Sequence, residues 1–391
     1  MTFKEVYKEI KSEVIDLRRK IHSWPELGFE EYETSKAICT FLDKHSIPFR
    51  SQVAGTGVVA LVGNPDRGKT ILIRADMDAL ETEEKTGLSF ASERKGYMHA
   101  CGHDIHIANA LAAAYILKKH ESKLNGCVKF VFQPAEETTG GAQPMISEGV
   151  LENPHVDVCI GAHVSAMYPT GELYFKEGAL MASPDDFELA FIGKSTHGAE
   201  PQNGINPLNP ACEFVLNINR KLSEAISFEQ NVFSICSVNG GNSNNIIPDT
   251  ACILGTFRSF SQGDREKADS IICSFAKELC TKYNCGYSCT YNYLYPPLVN
   301  NSKMTELAKK CAHRIVGAEN VKKFEKPLMT GEDFSYFACE RPSVFVWAGC
   351  GKDKSPIPLH SSHFVADENV IEVVASLFCD FVFEYLGNNN S

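Results

Sequence analysis

The sequence has no excess of positive charge and no long apolar run. Its 391 residues include 38 Lys and Arg against 49 Asp and Glu, which gives a net charge of −11. This balance argues against nucleic acid or an anionic membrane surface as a partner. No stretch of about 18 apolar residues occurs, as a membrane-spanning helix would need. Acidic residues interrupt the most apolar stretch, 370–386, which indicates an amphipathic helix packed on a core.

Cys-x-x-Cys pairs are also absent, although the sequence has 15 cysteines. Their scatter and odd number predict mostly free, buried thiols in a reducing, cytoplasmic compartment, with a disulfide framework as the alternative. The segment MTFKEVYKEIKSE is charged where a signal peptide has its apolar core, which favours the same compartment. The overall composition is that of a globular protein, and the length predicts two domains.

The order of predicted elements changes twice along the chain. Residues 1–182 alternate buried strands with helices, which predicts an α/β fold with a mostly parallel sheet and helices on both faces. Residues 183–297 follow the order β-α-β-β-α-β, which is typical of a ferredoxin-like α+β module. The α/β pattern resumes over 298–391. We therefore expect a discontinuous α/β domain, 1–182 and 298–391, interrupted by an inserted domain at 183–297.

Polar side chains cluster at the ends of the predicted strands, where the sites of open α/β sheets lie. Cys101 and His103 precede a predicted helix with Asp104 as its N-cap. In an extended turn the two can converge on one ion, and thiolate and imidazole suit zinc or another late divalent metal. A purely structural histidine-rich turn is the alternative.

Two adjacent carboxylates, Glu136 and Glu137, follow the predicted strand CVKFVFQ. Because neighbouring side chains point in different directions, one can bind a metal while the other takes a proton from water. A solvated acidic loop is the alternative interpretation. His163 ends an apolar strand, and His360 lies in a late loop, and each alone is typical of a structural histidine.

Asp76 and Asp78, at the end of the strand in ILIRADMDAL, are candidates for orienting metal ligands, with capping of the next turn as the alternative. Together the clusters supply a thiolate, imidazoles and carboxylates from the ends of different strands. This set is what a dinuclear hydrolytic site requires.

Ten motifs, in order along the chain, resemble those of one enzyme family: HSWPELGFEE, RADMDAL, MHACGHDIHIA, FQPAEE, GAHV, THGAEP, NIIPD, GTFR, TGEDFSYF and LHSSHF. The sequence resembles the aminoacylase/carboxypeptidase-type metallopeptidases. The resemblance is to the amidohydrolase branch, with hippurate hydrolase, N-acyl-L-amino-acid amidohydrolase, N-acetyldiaminopimelate deacetylase and indole-acetyl-amino-acid hydrolase. It implies a zinc-peptidase-like catalytic domain and an inserted lid and dimerisation domain, hence a possible homodimer.

The resemblance also implies roles for individual residues. Glu136 matches the general base, and His197 matches a residue that stabilises the oxyanion. Asn245 and Arg258 match residues suited to holding the substrate carboxylate. Asp76, Asp78 and Asp104 are expected to lie behind the ligands and orient them. The implied metal ligands are Cys101, His103, Glu137, His163 and His360.

The implied cofactors are two divalent ions, Zn²⁺ or Mn²⁺, with Co²⁺ or Ni²⁺ also open. The implied reaction is hydrolysis of an N-acyl-L-amino acid to a carboxylic acid and a free amino acid, with the acyl group undetermined. A dipeptidase or carboxypeptidase of the same family is the first alternative. A binding protein that has lost catalysis is the second, and the complete set of ligands and base argues against it.

Overall fold

The computed structural model describes residues 2–352 and 356–387. Within them the chain forms nine α-helices: α1 (Phe3–Ser23), α2 (Tyr32–Lys44), α3 (His103–Lys119), α4 (Ala142–Ser147), α5 (Leu208–Ser223), α6 (Gln262–Tyr283), α7 (Ser302–Val316), α8 (Ser335–Glu340) and α9 (Val370–Tyr385). The strands of the same residues are β1 (Phe49–Val53), β2 (Gly57–Gly63), β3 (Lys69–Asp76), β4 (Gly126–Gln133), β5 (Val158–Pro169), β6 (Leu173–Phe175), β7 (Gly178–Met181), β8 (Ser183–Ile192), β9 (Thr196–His197), β10 (Asn231–Gly240), β11 (Ile246–Ile247), β12 (Thr250–Ser259), β13 (Gly286–Asn292), β14 (Leu298–Asn300), β15 (Val321–Lys323) and β16 (Ser343–Gly351).

The chain divides into two compact units. The first comprises residues 1–178, 299–326 and 333–391, and the second comprises residues 179–298 and 327–332. Residues 327–332 join the second unit through backbone hydrogen bonds, since Leu328 N donates to Leu180 O and Ala182 N donates to Leu328 O.

An eight-stranded sheet forms the centre of the first unit, in the order β1-β2-β4-β3-β5-β16-β6-β15. The four central strands, β4, β3, β5 and β16, are parallel to one another. The flanking strands β2 and β6 run antiparallel to their central neighbours. The expected α/β fold with a mainly parallel sheet is therefore confirmed, with antiparallel pairs toward both edges.

Helices cover both faces of this sheet. Val344 and Val346 of β16 belong to the core that also contains residues of α1, α3 and α9. Phe345, which points to the other face because strand side chains alternate, packs on Phe334 next to α8, with ring centroids 5.0 Å apart. Of the 17 residues of α3, 15 are buried, so this helix lies inside the core.

The second unit contains an antiparallel sheet in the order β10-β12-β8-β13. With α5 and α6 the chain order is β8-α5-β10-β12-α6-β13, the predicted β-α-β-β-α-β pattern. Phe187, Leu189 and Phe191 of β8 alternate inward and form its core with apolar residues of α5 and α6. Asp185, fully buried, accepts two hydrogen bonds from Arg265 of α6 at 2.7 and 2.6 Å, which fixes this helix to the sheet.

One local expectation was wrong. Helix α3 begins at His103 with Gly102 as its N-cap, not at Asp104, because Asp104 turns its side chain toward α1. Thirteen cysteines are free and seven of these are buried, as expected, while Cys273 and Cys289 of the second unit form a disulfide. Among the described residues, no helix is both long and apolar enough to cross a bilayer.

Candidate metal centre

The turn before α3 brings Cys101 to His163. Gly102 has a φ of +87°, and a Cβ there would lie 2.6 Å from Val164 Cγ2, so only glycine lets this turn pack so closely on β5. Cys101 Sγ consequently lies 3.3 Å from Nε2 of His163. The other ring nitrogen, Nδ1, is 2.7 Å from Val164 O and donates to it, which leaves Nε2 available to bind a metal.

His103, the first residue of α3, is fully buried between carboxylates. Its Nδ1 lies 3.2 Å from Oδ1 of Asp78, and its Nε2 lies 3.9 Å from Oε1 of Glu137. Among the described residues, this Nε2 has no hydrogen-bond partner although it is buried. A buried polar atom of this kind needs a partner, and a cation between the imidazole and the carboxylate would supply one.

The turn after β4 presents Glu136 and Glu137. Glu137 N donates to Oδ2 of Asp78 at 2.9 Å, and Oε1 of Glu137 lies 3.0 Å from Nε2 of His360. Glu136 is buried, and its carboxylate lies in one group with the ligand atoms of His103 and Glu137, all within 4.8 Å of one another.

The late loop closes the cluster from the solvent side. His360 has a φ of +63°, and its N donates to Ala100 O at 2.9 Å, which ties this loop to the turn that carries Cys101. Its ring is about half exposed, with 53% of the side chain accessible. The site is therefore open to solvent at His360 and closed at His103.

The structure thus brings all five expected ligands and Glu136 into one cluster. Overlapping groups with ligand atoms within 4.8 Å are Cys101 with His103 and His163, Cys101 with Glu137 and His360, and His103 with Glu136 and Glu137. One thiolate, three imidazoles and two carboxylates form a donor set suited to zinc and other late divalent metals. Cys101 belongs to two of these groups, and His103 also belongs to two. Because the groups overlap in this way, the residues present fit two neighbouring ions.

The pKa values in the cluster follow from burial and charge. Burial raises the pKa of the Cys101 thiol well above its usual value and lowers the pKa of His163 to about 3. Burial also opposes charge on His103 and Glu137, but it is outweighed. Asp76 and Asp78 raise the pKa of His103 to about 10, and the close contact with His360 at 3.0 Å lowers the pKa of Glu137 to about 2. In the metal-free cluster, protons thus offset the negative charge of the carboxylates, and bound cations would take the place of these protons.

A buried network lies behind the ligands, and sequence reasoning missed most of it. Asp76 accepts from Arg74 Nη1 and from His106 Nδ1, both at 2.5 Å. Arg74 also donates to Asp333 at 2.6 Å. Nε2 of His106 accepts from Val164 N at 3.0 Å, so both its nitrogens are engaged. The available signals were the spacing of His106 from His103 by one helical turn and the acidic pair in TGEDFSYF.

Asp104 faces a different part of the core from Asp76 and Asp78. Its Oδ2 lies 2.8 Å from Arg18 Nε and 2.7 Å from His22 Nδ1, both on α1. Arg18 and Asp104 are almost completely buried. The contacts of this carboxylate are therefore with α1 and not with a metal ligand.

The remaining candidates lie in the second unit. His197 of β9 pairs with Ile246 of β11, and Gly198 N donates to Asn245 O at 2.7 Å, so His197 and Asn245 are neighbours. Nδ1 of His197 accepts from Ala199 N at 3.0 Å, which places the proton of the neutral ring on Nε2. Arg258 is half-buried in β12, and burial lowers its pKa.

Comparisons with known proteins agree with this fold and cluster. The family described as Peptidase family M20/M25/M40 matches residues 72–384. The chain therefore belongs to this family, and it is a hydrolase. Thermostable carboxypeptidase 1 of Saccharolobus solfataricus is 37% identical over 94% of each chain. The N-acetyl-L-cysteine deacetylase of Bacillus subtilis is 34% identical, over 94% of this chain and 87% of its own.

A solved structure extends the likeness to three dimensions. It is a dinuclear metal-binding peptidase of the M20 family from Bacillus subtilis, with a TM-score of 0.83 and 32% identity. The match covers 97% of this chain and 99% of that one. The family expected from the motifs is thus confirmed.

Proposed function

We propose that this protein is a metal-dependent amidohydrolase that cleaves N-acyl-L-amino acids into a carboxylic acid and a free amino acid. The observation that carries the proposal is the convergence of Cys101, His103, Glu137, His163 and His360 beside a second buried carboxylate, Glu136. A site with enough donors for two cations and a further carboxylate at hand is suited to metal-assisted hydrolysis.

Two divalent ions, Zn²⁺ or Mn²⁺ in our proposal with Co²⁺ or Ni²⁺ as substitutes, would supply Lewis acidity and a lowered pKa of water when bound. Glu136 acts as the general base that takes the proton from the attacking water, and then returns it to the leaving amine. Its buried position beside His103 and Glu137 supports this role. His163 and His103 keep Nε2 directed at the site because their Nδ1 atoms are held by Val164 O and Asp78.

Three residues of the second unit also have roles in the proposed reaction. His197, which carries its proton on Nε2, donates a hydrogen bond to the oxyanion as it forms. Arg258 and Asn245 hold the substrate carboxylate, for which the guanidinium of Arg258 is well suited because it can donate two parallel hydrogen bonds to a carboxylate. We assign to residues 183–297 the roles of lid and dimerisation domain. The thirteen free thiols, against one disulfide, support a cytoplasmic location.

A peptidase activity is the second candidate, because a relative with 37% identity is named a carboxypeptidase. The deacetylase relative and the thiolate ligand Cys101 in HACGH favour the amide substrates. The discriminating assay compares hippurate, N-acetyl-amino acids including N-acetylcysteine, and dipeptides, with enzyme stripped by a chelator and reloaded with Zn²⁺, Mn²⁺, Co²⁺ or Ni²⁺. Preferential turnover of dipeptides would contradict the amidohydrolase proposal.

The role of Glu136 has its own test. Glu136→Gln keeps the shape of the side chain but cannot take a proton, so we expect kcat to fall by about 10²–10⁴-fold while metal content stays that of the wild type. Glu148→Gln, an exposed position on the same segment, is the matched control and should keep full activity. Substantial turnover by Glu136→Gln would show that another group is the base.

A further inference from the structure

We infer that Glu31 is a positioning residue that holds the turn carrying Glu136 and Glu137 in its active conformation. The inference rests on the proposed function for its effect on turnover. Glu31 lies in the loop just before α2, in the motif HSWPELGFEE, and no role was expected for it from the sequence.

One buried carboxylate joins three parts of the first unit. Glu31 is fully buried, and its Oε1 accepts from Ala135 N at 2.9 Å. Its Oε2 accepts from the hydroxyl of Thr56, just before β2, at 2.5 Å. The start of α2, the start of β2 and the turn after β4 therefore meet at this side chain.

The turn needs such a partner because of its backbone. Ala135 has a φ of +57°, a left-handed conformation that is unfavourable for a residue with a Cβ. The backbone O of Ala135 accepts a hydrogen bond from Gly140 N at 3.0 Å. The hydrogen bond from Ala135 N to Glu31 is the second one that holds this residue in place. The conformation of Ala135 sets the direction in which the next two carboxylates leave the turn.

The loop before α2 also packs directly on this turn. A Cβ at Gly28 would lie 2.9 Å from Ala135 Cα and 2.6 Å from the hydroxyl of Thr138. The turn is thus supported sterically at Gly28 and by a hydrogen bond at Glu31. An error of about 1 Å in the position of a catalytic group can cost about a hundredfold in rate, so loss of either support should reduce turnover.

Glutamine can replace Glu31 in this role, and alanine cannot. The amide oxygen of Gln accepts from Ala135 N, and its NH₂ donates to the hydroxyl of Thr56, which accepts as well as donates. Glu31→Ala removes both hydrogen bonds and leaves Ala135 N unpaired inside the protein. Rescue by Gln therefore separates positioning by hydrogen bonds from a requirement for charge.

The matched control is Glu26, in the same loop. It is also a buried carboxylate that accepts two backbone hydrogen bonds, from Glu33 N at 3.1 Å and Thr34 N at 2.8 Å. Both of its partners belong to the start of α2, and neither lies in the turn after β4. Glu26→Ala thus removes the same kind of group without releasing Ala135.

The experiment measures kcat and KM on the best amide substrate of the wild type, and the visible absorption of the Co²⁺-loaded protein, which reports the geometry around Cys101 and Glu137. We expect Glu31→Ala to lower kcat by about ten- to a hundredfold with little change in KM, and to alter the Co²⁺ spectrum. Glu31→Gln and Glu26→Ala should resemble the wild type in both. Gly28→Ala displaces the same turn from another side and should resemble Glu31→Ala, which keeps the test valid where Glu31→Ala does not fold.

A wild-type Co²⁺ spectrum and kcat in Glu31→Ala, or equal damage in Glu26→Ala, would overturn the inference. Equal damage in Glu31→Gln would overturn it as well. A wild-type protein that hydrolyses no N-acyl amino acid would refute the proposed function instead. The Co²⁺ spectra of the variants would then still decide the positioning role.

Discussion

Substitution of Asp78 tests whether this carboxylate orients the candidate metal ligands His103 and Glu137. Its two oxygens accept two different donors, Nδ1 of His103 at 3.2 Å and the backbone N of Glu137 at 2.9 Å. In Asp78→Asn one of these atoms becomes an NH₂ group, which cannot accept. Either Glu137 N is left facing a donor, or His103 must carry its proton on Nε2, the atom proposed to bind metal.

The expected cost is a loss of metal affinity with little change in stability. Partners that orient a metal ligand contribute about ten- to a hundredfold in affinity, or about 1.4–2.7 kcal/mol. Calorimetric titration of the chelator-stripped protein with Zn²⁺ and Mn²⁺ measures this directly, and competition with a chelator extends the range to tight binding.

Asp104→Asn is the matched control, because Asp104 directly follows His103 and the chemical change is identical. Its carboxylate contacts Arg18 and His22, so we expect unchanged metal affinity and a lower free energy of unfolding. Breaking a buried pair costs about 3–5 kcal/mol, and the remaining contact of Arg18 with Glu368 at 3.3 Å places the effect toward the lower end. Wild-type metal affinity in Asp78→Asn, or equal losses in the two variants, would refute this account.

Two further predictions concern stability. Burial opposes a charge on His22, but the nearby Asp104 outweighs it and raises the pKa of this histidine. The protonated ring therefore stabilises the fold fully below a pH of about 6.5, the usual pKa of histidine. This contribution is lost as the pH rises through the raised pKa. Urea unfolding of the metal-free protein at several pH values should show the deficit of His22→Gln shrinking toward alkaline pH, and a constant deficit would contradict the assignment. In the second unit, Asp185→Ala leaves the buried guanidinium of Arg265 without its ionic partner and should cost about 3–5 kcal/mol in unfolding free energy. Asp186→Ala, at the half-buried neighbouring position, should cost much less, and equal losses would show that the buried ion pair is not the cause.

The elements that sequence patterns predicted well are those with a continuous buried face. The buried strands β4 and β5 and the apolar helix α9 are examples, because their burial follows directly from an apolar pattern. Two of the strands that were missed, β1 and β15, have no such pattern. Four of the five residues of β1 are exposed, and β15 is the short sequence VKK at the sheet edge. Backbone pairing with a neighbouring strand creates these elements, and one segment's sequence does not reveal its neighbour.

The candidate ligands were identified through the family resemblance, whereas most of the residues behind them were not. Only Cys, His, Asp and Glu bind such ions well, so the motifs restrict the candidates to a few residues, but any polar residue can orient a ligand. The sequence gives no reason to prefer one of Asp76, Asp78 and Asp104 as the residue that orients a ligand. In the structure Asp76 contacts Arg74 and His106, and Asp78 contacts two of the segments that carry candidate ligands. Asp104 contacts α1 instead. On a helix the next residue is rotated by about 100°, so Asp104 points away from the ligands because it directly follows one of them. The side chain of Asp104 therefore contacts Arg18 and His22 of α1 and not the candidate metal centre.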